Sequence, residues 1–116
     1  MPSAELTTPT SAPAPAALFA ALGDTTRLAL IQRLSGGAGQ SISRLGEGLP
    51  MSRQAIRKHL SVLEDAGLVG ARASGREVLY ALRREPIEQA RACLDDIAQQ
   101  WDVLLQRLKL EVEQKE

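Results

Sequence analysis

The chain has 116 residues, 44% of them hydrophobic, which suits one domain with a core of its own. Lys plus Arg number 14 and Asp plus Glu 14, so net charge singles out no partner, and the one cysteine excludes a disulfide framework. No run approaches the ~20 apolar residues of a membrane span, and the N-terminus lacks the basic and apolar regions of a secretory signal, so a cytoplasmic protein is expected.

Residues 1–15, "MPSAELTTPTSAPAP", are rich in Pro, Thr, Ser and Ala and read as a flexible tail. Helical periodicity starts near Ala16 with Leu18, Phe19 and Leu22 and stops at Gly23. Asp24 is suited to cap a second helix, its carboxylate accepting from free amides in the first turn. Leu28, Ile31 and Leu34 recur at helical spacing until "SGG". Ser41 caps a short third helix, from Ser41 to about Glu47, with Ile42 and Leu45 facing inward, and "GEGLP" ends it. A fourth helix is expected over 52–66. Ser52 is its cap, Ile56, Leu60 and Leu63 form its buried side, and Gly67 stands where a left-handed residue closes a helix. In "LVGARASGREVLYAL", Val69, Ala71 and Ala73 alternate before "SG", and Val78, Tyr80 and Leu82 after it, so a β-hairpin is expected over 68–82. Pro86 then opens a long helix over 86–112. Its apolar stripe runs through Ile87, Ala90, Leu94, Ile97, Trp101, Leu104 and Leu108, alternately three and four residues apart. The fold class is therefore mainly α with a β-hairpin, one domain over 16–112.

Charge is unevenly placed along this order. Residues 51–84 carry seven bases (Arg53, Arg57, Lys58, Arg72, Arg76, Arg83, Arg84) against three acids (Glu64, Asp65, Glu77), a net of +4, whereas 85–116 carry a net of −4. A basic segment is what a polyanion requires. On the fourth helix the side away from Ile56, Leu60 and Leu63 shows Gln54, Arg57, Lys58 and Ser61, with Arg53 at its edge. Gln offers two-point pairing to adenine and Arg to guanine in the major groove of double-stranded DNA. Ser52, Arg53 and Lys58 are placed to hold phosphates beside the free amides of the helix start. A short helix, a turn and a basic-fronted helix make the helix-turn-helix pattern. The hairpin supplies a wing whose tip is flanked by Arg72 and Arg76, within reach of phosphate or minor groove.

Residues 18–82 resemble the winged helix-turn-helix repressors of the ArsR/SmtB family. "LFAALGDTTRLALIQRL" resembles their opening segment, with Thr25 where Pro is common; "SRQAIRKHLSVLEDAGLV" resembles their recognition helix, and "SGREVLYAL" their wing. The resemblance implies a homodimeric transcriptional repressor that binds an inverted repeat, with the final helix at the dimer interface. The stripe itself points the same way, being longer than one small core can cover. Leu94, Ile97, Trp101, Leu104 and Leu108, joined by Leu18, Phe19 and Leu22, are the expected contacts with a second copy.

Many members of that family sense metals through cysteines in the third helix or histidines in the last. Here the third helix reads "SISRLGEGL" and the last has no His, so neither metal nor other cofactor is expected, and the chain resembles a branch without those ligands. Asp95, Asp96 and Asp102 alone would make a poor zinc or soft-metal site, and Asp95 and Asp96 read as a solvated face. Cys93 lies beside the apolar stripe as a small buried hydrophobe; a redox or small-ligand sensing repressor acting through it is the alternative, and the inducer is unknown. His59, the single histidine, borders the buried side of the fourth helix as a packing or backbone-bonded residue, with a phosphate contact as the other reading. No nucleophile–base pair and no phosphate-binding glycine loop is present, so no enzyme is expected. A winged-helix module for protein interaction is the remaining alternative. It would be expected to show an apolar patch where Gln54, Arg57 and Lys58 stand.

Overall fold

The structure, a computed structural model, describes residues 15–114, so the expected tail lies outside the described residues apart from Pro15. Five helices and one hairpin follow in the order α1 (Pro15–Leu22), α2 (Thr25–Leu34), α3 (Ile42–Leu45), α4 (Arg53–Asp65), β1 (Val69–Ser74), β2 (Glu77–Leu82) and α5 (Arg84–Gln114). None of these helices is long and apolar enough to cross a membrane.

The capping chemistry sets the boundaries. Asp24 accepts from the Arg27 amide to start α2, Ser41 from the Arg44 amide to start α3, and Ser52 from the Ala55 amide to start α4. Each side chain satisfies one of the four donors that a helix start leaves open. At the end of α4, Gly67 has φ +80°, a region closed to most L side chains. That turn lets the Leu68 amide donate to the Leu63 carbonyl and the Gly67 amide to the Glu64 carbonyl, both at 2.9 Å. The pair of bonds is a Schellman closure, with Leu68 fully buried behind it.

The core gathers one to three residues from every helix: Leu18 and Ala21, Leu30, Ile31 and Leu34, Leu45, then Ile56, Leu60 and Leu63, with Leu68, Val69, Tyr80 and Ala90. Aliphatic residues dominate it, as the scarcity of aromatics requires. Leu28 does not join it. Leu28 is 44% exposed, and Leu30 stands in the core instead, because α2 turns the Leu30–Ile31–Leu34 side inward.

The hairpin pairs antiparallel, with Val69 opposite Leu82 and Ser74 opposite Glu77. Gly75 and Arg76 are its two-residue turn. Gly75 takes φ +62° and Arg76 has no positive φ, the signature of a II′ turn with glycine first. The expected alternation is present in the pairing, but burial follows it only near the base. Val69 and Tyr80 are buried, while Ala71, Ala73 and Val78 are exposed, because the far half of the hairpin projects beyond the helices. Gln40 exchanges two backbone bonds with Tyr80, so the segment between α2 and α3 adds a one-residue third strand that local pattern did not announce.

The bounds of α3 and α5 differ from expectation, α5 also running on to Gln114. α3 spans only Ile42–Leu45, since Gly46 already closes it. α5 starts at Arg84, two residues before Pro86, which lies within the first turn where its missing amide costs no hydrogen bond. Only Pro86 and Ala90 of α5 are buried, where α1 packs on them. From Arg91 to Gln114 every residue except the half-buried Cys93 is exposed. This projecting portion is ~36 Å long at ~1.5 Å per residue.

Candidate nucleic-acid interface

α4 is held on two sides. Its buried residues, Ile56, Leu60 and Leu63, lock its rotation. α3 approaches its front through a short connection in which Leu49 and Met51 tuck against the core. Arg33 reaches across from α2, and its Nη1 donates to the carbonyls of Leu45 (2.8 Å) and Glu47 (2.7 Å). The first is the last carbonyl of α3, which has no partner within the helix, and the second belongs to the turn that follows it. The turn between the two helices is thus tied to α2 by one guanidinium.

With α4 so fixed, Ser52, Arg53, Gln54, Arg57, Lys58 and Ser61 are all exposed. Gln54, Arg57, Lys58 and Ser61 lie at spacings of three and four, so they are neighbours on one side of the helix. No acid interrupts the series before Glu64. Among the described residues the only Lys or Arg ion pair is Arg84 with Glu88, and the only other close approach of opposite types is His59 to Asp24, so Arg53, Arg57, Lys58, Arg72 and Arg76 have no carboxylate partner. Arg53 is engaged otherwise: its Nη2 donates to the Ser43 hydroxyl on α3 at 2.5 Å. Ser43 was not expected from sequence to matter, because nothing local marks a residue ten positions away as a partner. Arg72 stands opposite Leu79 on the hairpin face away from Tyr80, and Arg76 occupies the turn; both are exposed. A shallow depression of about 300 Å³ runs along that face beside Arg72 and Arg83, floored by Gly70, Leu79 and Ala81.

Chemically, the face offers one side-chain amide, three guanidinium or ammonium cations and two hydroxyls, plus the free amides at the start of α4. It contains donors in excess and no fixed negative charge, which is the complement of a surface lined with phosphates and base edges.

His59 is half-buried on the side of α4 that faces α2. Its Nδ1 lies 3.4 Å from Arg27 Nη1 and 3.9 Å from Asp24 Oδ2. The Asp24 carboxyl is held below the usual carboxylate range, chiefly by the hydrogen bond from the Arg27 amide; burial opposes this, and the charge of Arg27 reinforces it.

The expected dimer residues divide. Leu94, Ile97, Trp101, Leu104 and Leu108 are 44–57% exposed, large apolar side chains on one side of the projecting part of α5. Leu105 and Val112 extend that side. Phe19 and Leu22 are half-buried and pack on the core. Leu18 is corrected: with 0% exposure it is consumed by its own chain's core and has no surface left for a partner. The other large exposed apolar residues of α5, Val103 and Leu110, point to the opposite side. Asp95, Asp96 and Asp102 are exposed. No three His, Cys, Asp or Glu side chains among the described residues come together in a group that could hold a metal ion.

Comparison with known proteins gives a consistent set of likenesses. A family model described as a helix-turn-helix domain matches residues 22–69. The chain is similar to the uncharacterized HTH-type transcriptional regulator YuzN of Bacillus subtilis, at 40% identity over 62% of this chain and 85% of that protein. It is also similar to the HTH-type transcriptional regulator Rv2034 of Mycobacterium tuberculosis, at 39% identity over 65% of this chain and 69% of that protein. Among solved structures it is similar to an ArsR-like transcriptional regulator from Rhodococcus sp. RHA1, with a TM-score of 0.69, 41% identity, and coverage of 82% of this chain and 89% of that one.

Proposed function

The chain belongs to the ArsR family of winged helix-turn-helix transcriptional regulators, and from that premise we propose that it is a homodimeric repressor that reads an inverted-repeat operator through α4. The observation that carries this is the unpaired, acid-free face of α4 opposite its fully buried Ile56, Leu60 and Leu63. Gln54 and Arg57 read base edges. Ser52, Lys58 and Ser61 hold phosphate or sugar, and Arg53 does so while bonded to Ser43, since a guanidinium has five N–H donors. Arg72 and Arg76 bring the hairpin to the flanking backbone. A protein-interaction module would instead carry apolar side chains on that face. The protein acts on DNA in the cytoplasm and performs no chemical step.

Selection of bound DNA from a random pool tests the proposal. An enriched sequence with two related half-sites in inverted order supports it; recovery of unenriched DNA, or of a single asymmetric half-site, refutes the symmetric reading.

The hairpin has its own prediction. Arg76→Ala is expected to weaken specific and random DNA alike and to make the salt dependence shallower by about one unit, as for the loss of one phosphate contact. Binding titrations at several salt concentrations measure this, and an unchanged slope places the hairpin tip away from the backbone.

Metal independence is also expected. α3 offers no thiolate and α5 no imidazole, and exposed aspartates alone make a poor site for a borderline or soft ion. Micromolar zinc, cadmium or arsenite should leave DNA affinity within about threefold, half of one tenfold step. Stoichiometric release of DNA by any of them, followed by anisotropy, contradicts the expectation.

A further inference from the structure

We infer that Arg27 is a positioning residue for α4, with His59 as the point it grips, so that DNA affinity depends on a side-chain pair that does not touch DNA. The affinity part rests on the proposed function; the grip itself does not.

Arg27 sits in the first turn of α2 and is half-buried. Its Nε donates to the Ala21 carbonyl at 2.6 Å, in the last turn of α1. A guanidinium is a planar fork, so once Nε is committed the directions of its other donors are set. Nη1 then lies 3.4 Å from His59 Nδ1, thirty-two positions later in the chain and on α4. For Arg27 to donate there, Nδ1 must be the unprotonated nitrogen of the ring. Asp24 completes the cluster, its Oδ2 accepting from the Arg27 amide at 3.0 Å and lying 3.9 Å from the same ring nitrogen. One cation therefore joins the end of α1, the start of α2 and the middle of α4. α1 is also the helix that packs on the buried base of α5. On α4, His59 directly follows Arg57 and Lys58, so a rotation that released His59 would carry both cations with it. The ring nitrogen is turned toward α1 and α2, and the side chain is only 23% exposed, which argues against a phosphate contact.

The arrangement separates the grip from the fold. The cap of α2 uses the Arg27 backbone amide, which any substitution keeps. Arg27→Lys retains the charge and loses the fork. His59→Gln retains an acceptor near Nδ1; His59→Leu retains bulk and removes it.

His59 is the sole histidine, so its ring-proton resonances are unambiguous. In the DNA-free protein, Arg27→Lys should shift those resonances, and their failure to move would refute the grip whether or not the protein binds DNA. On the site selected by the wild type, Arg27→Lys and His59→Leu should each lower affinity about tenfold. The salt slope should not change, the thermal transition should stay cooperative, and His59→Gln should recover most of the loss. The double variant Arg27→Lys/His59→Leu should be no weaker than either single one, since the two act as a unit. Additive losses, wild-type affinity in His59→Leu, or a slope shallower by about one unit, the mark of a lost phosphate contact, would each overturn the inference. Should Arg27→Lys fail to fold, the two His59 variants carry the test. Absence of any DNA binding by the wild type would refute the proposed function, and the resonances would still decide the grip.

Discussion

Replacing Trp101 and Leu104 together with Glu is expected to give folded monomers that have lost most of their operator affinity. Both residues lie on the exposed apolar side of the projecting part of α5, Trp101 at 57% and Leu104 at 44% exposure, one helical turn apart. Neither contributes to the chain's own core, so the winged domain should survive the change. In a symmetric dimer each substitution occurs twice, and four carboxylates would enter one apolar seam. A charge buried without a partner costs several kcal/mol, so the seam cannot form. Two half-sites bound by one dimer gain on the order of a hundredfold or more over independent binding, and that gain disappears with the dimer. Sedimentation, circular dichroism and a binding titration on the same preparation are needed together. A dimer that persists would refute the seam, and a folded monomer with undiminished operator affinity would refute the paired reading.

The second large effect belongs to Arg57. Its side chain is exposed, has no carboxylate partner among the described residues, and stands three residues from Gln54 on the outer side of α4. Arg57→Ala is expected to cost about 1–3 kcal/mol on the preferred site and to relax base choice at one position per half-site. Stability should hardly change, because α4 keeps its buried side and both of its closures. The discriminating measurement is affinity across single-base variants of the site. Uniform weakening on all of them would assign Arg57 to phosphate and leave Gln54 as the main reader.

What the sequence disclosed and what it withheld differ in range. Ser52, Ile56, Leu60, Leu63 and Gly67 specify α4 almost alone, since capping, periodicity and closure are all settled within a few positions. The hairpin was equally legible, its turn fixed by Gly75. The exposed cations of α4 followed from the same periodicity, because a known buried side determines the opposite one. Contacts between distant single residues had no such signature. Gln40 meets Tyr80, Arg33 holds the end of α3, and Arg27 grips His59, yet each residue looks ordinary among its neighbours. Leu28 failed for a related reason: Leu28 and Leu30 are chemically alike, and only the packing of α2 decides which one turns inward. Leu18 failed because an apolar residue at a helix start serves a core or a partner equally well until the core is seen to need it.

The projecting part of α5 also bears on dosage. A solitary helical arm has little to stabilise it in water, since its first turn is costly and most helical stability comes from packing. On the proposed reading, two chains must meet before Leu94 to Val112 gain anything to lie against, so ordering of the arm and association are one event. The active species then accumulates with the square of the chain's concentration when chains are scarce. A cell that halves its supply loses about three quarters of that species by mass action, so the regulator's response steepens without an effector or a second binding site.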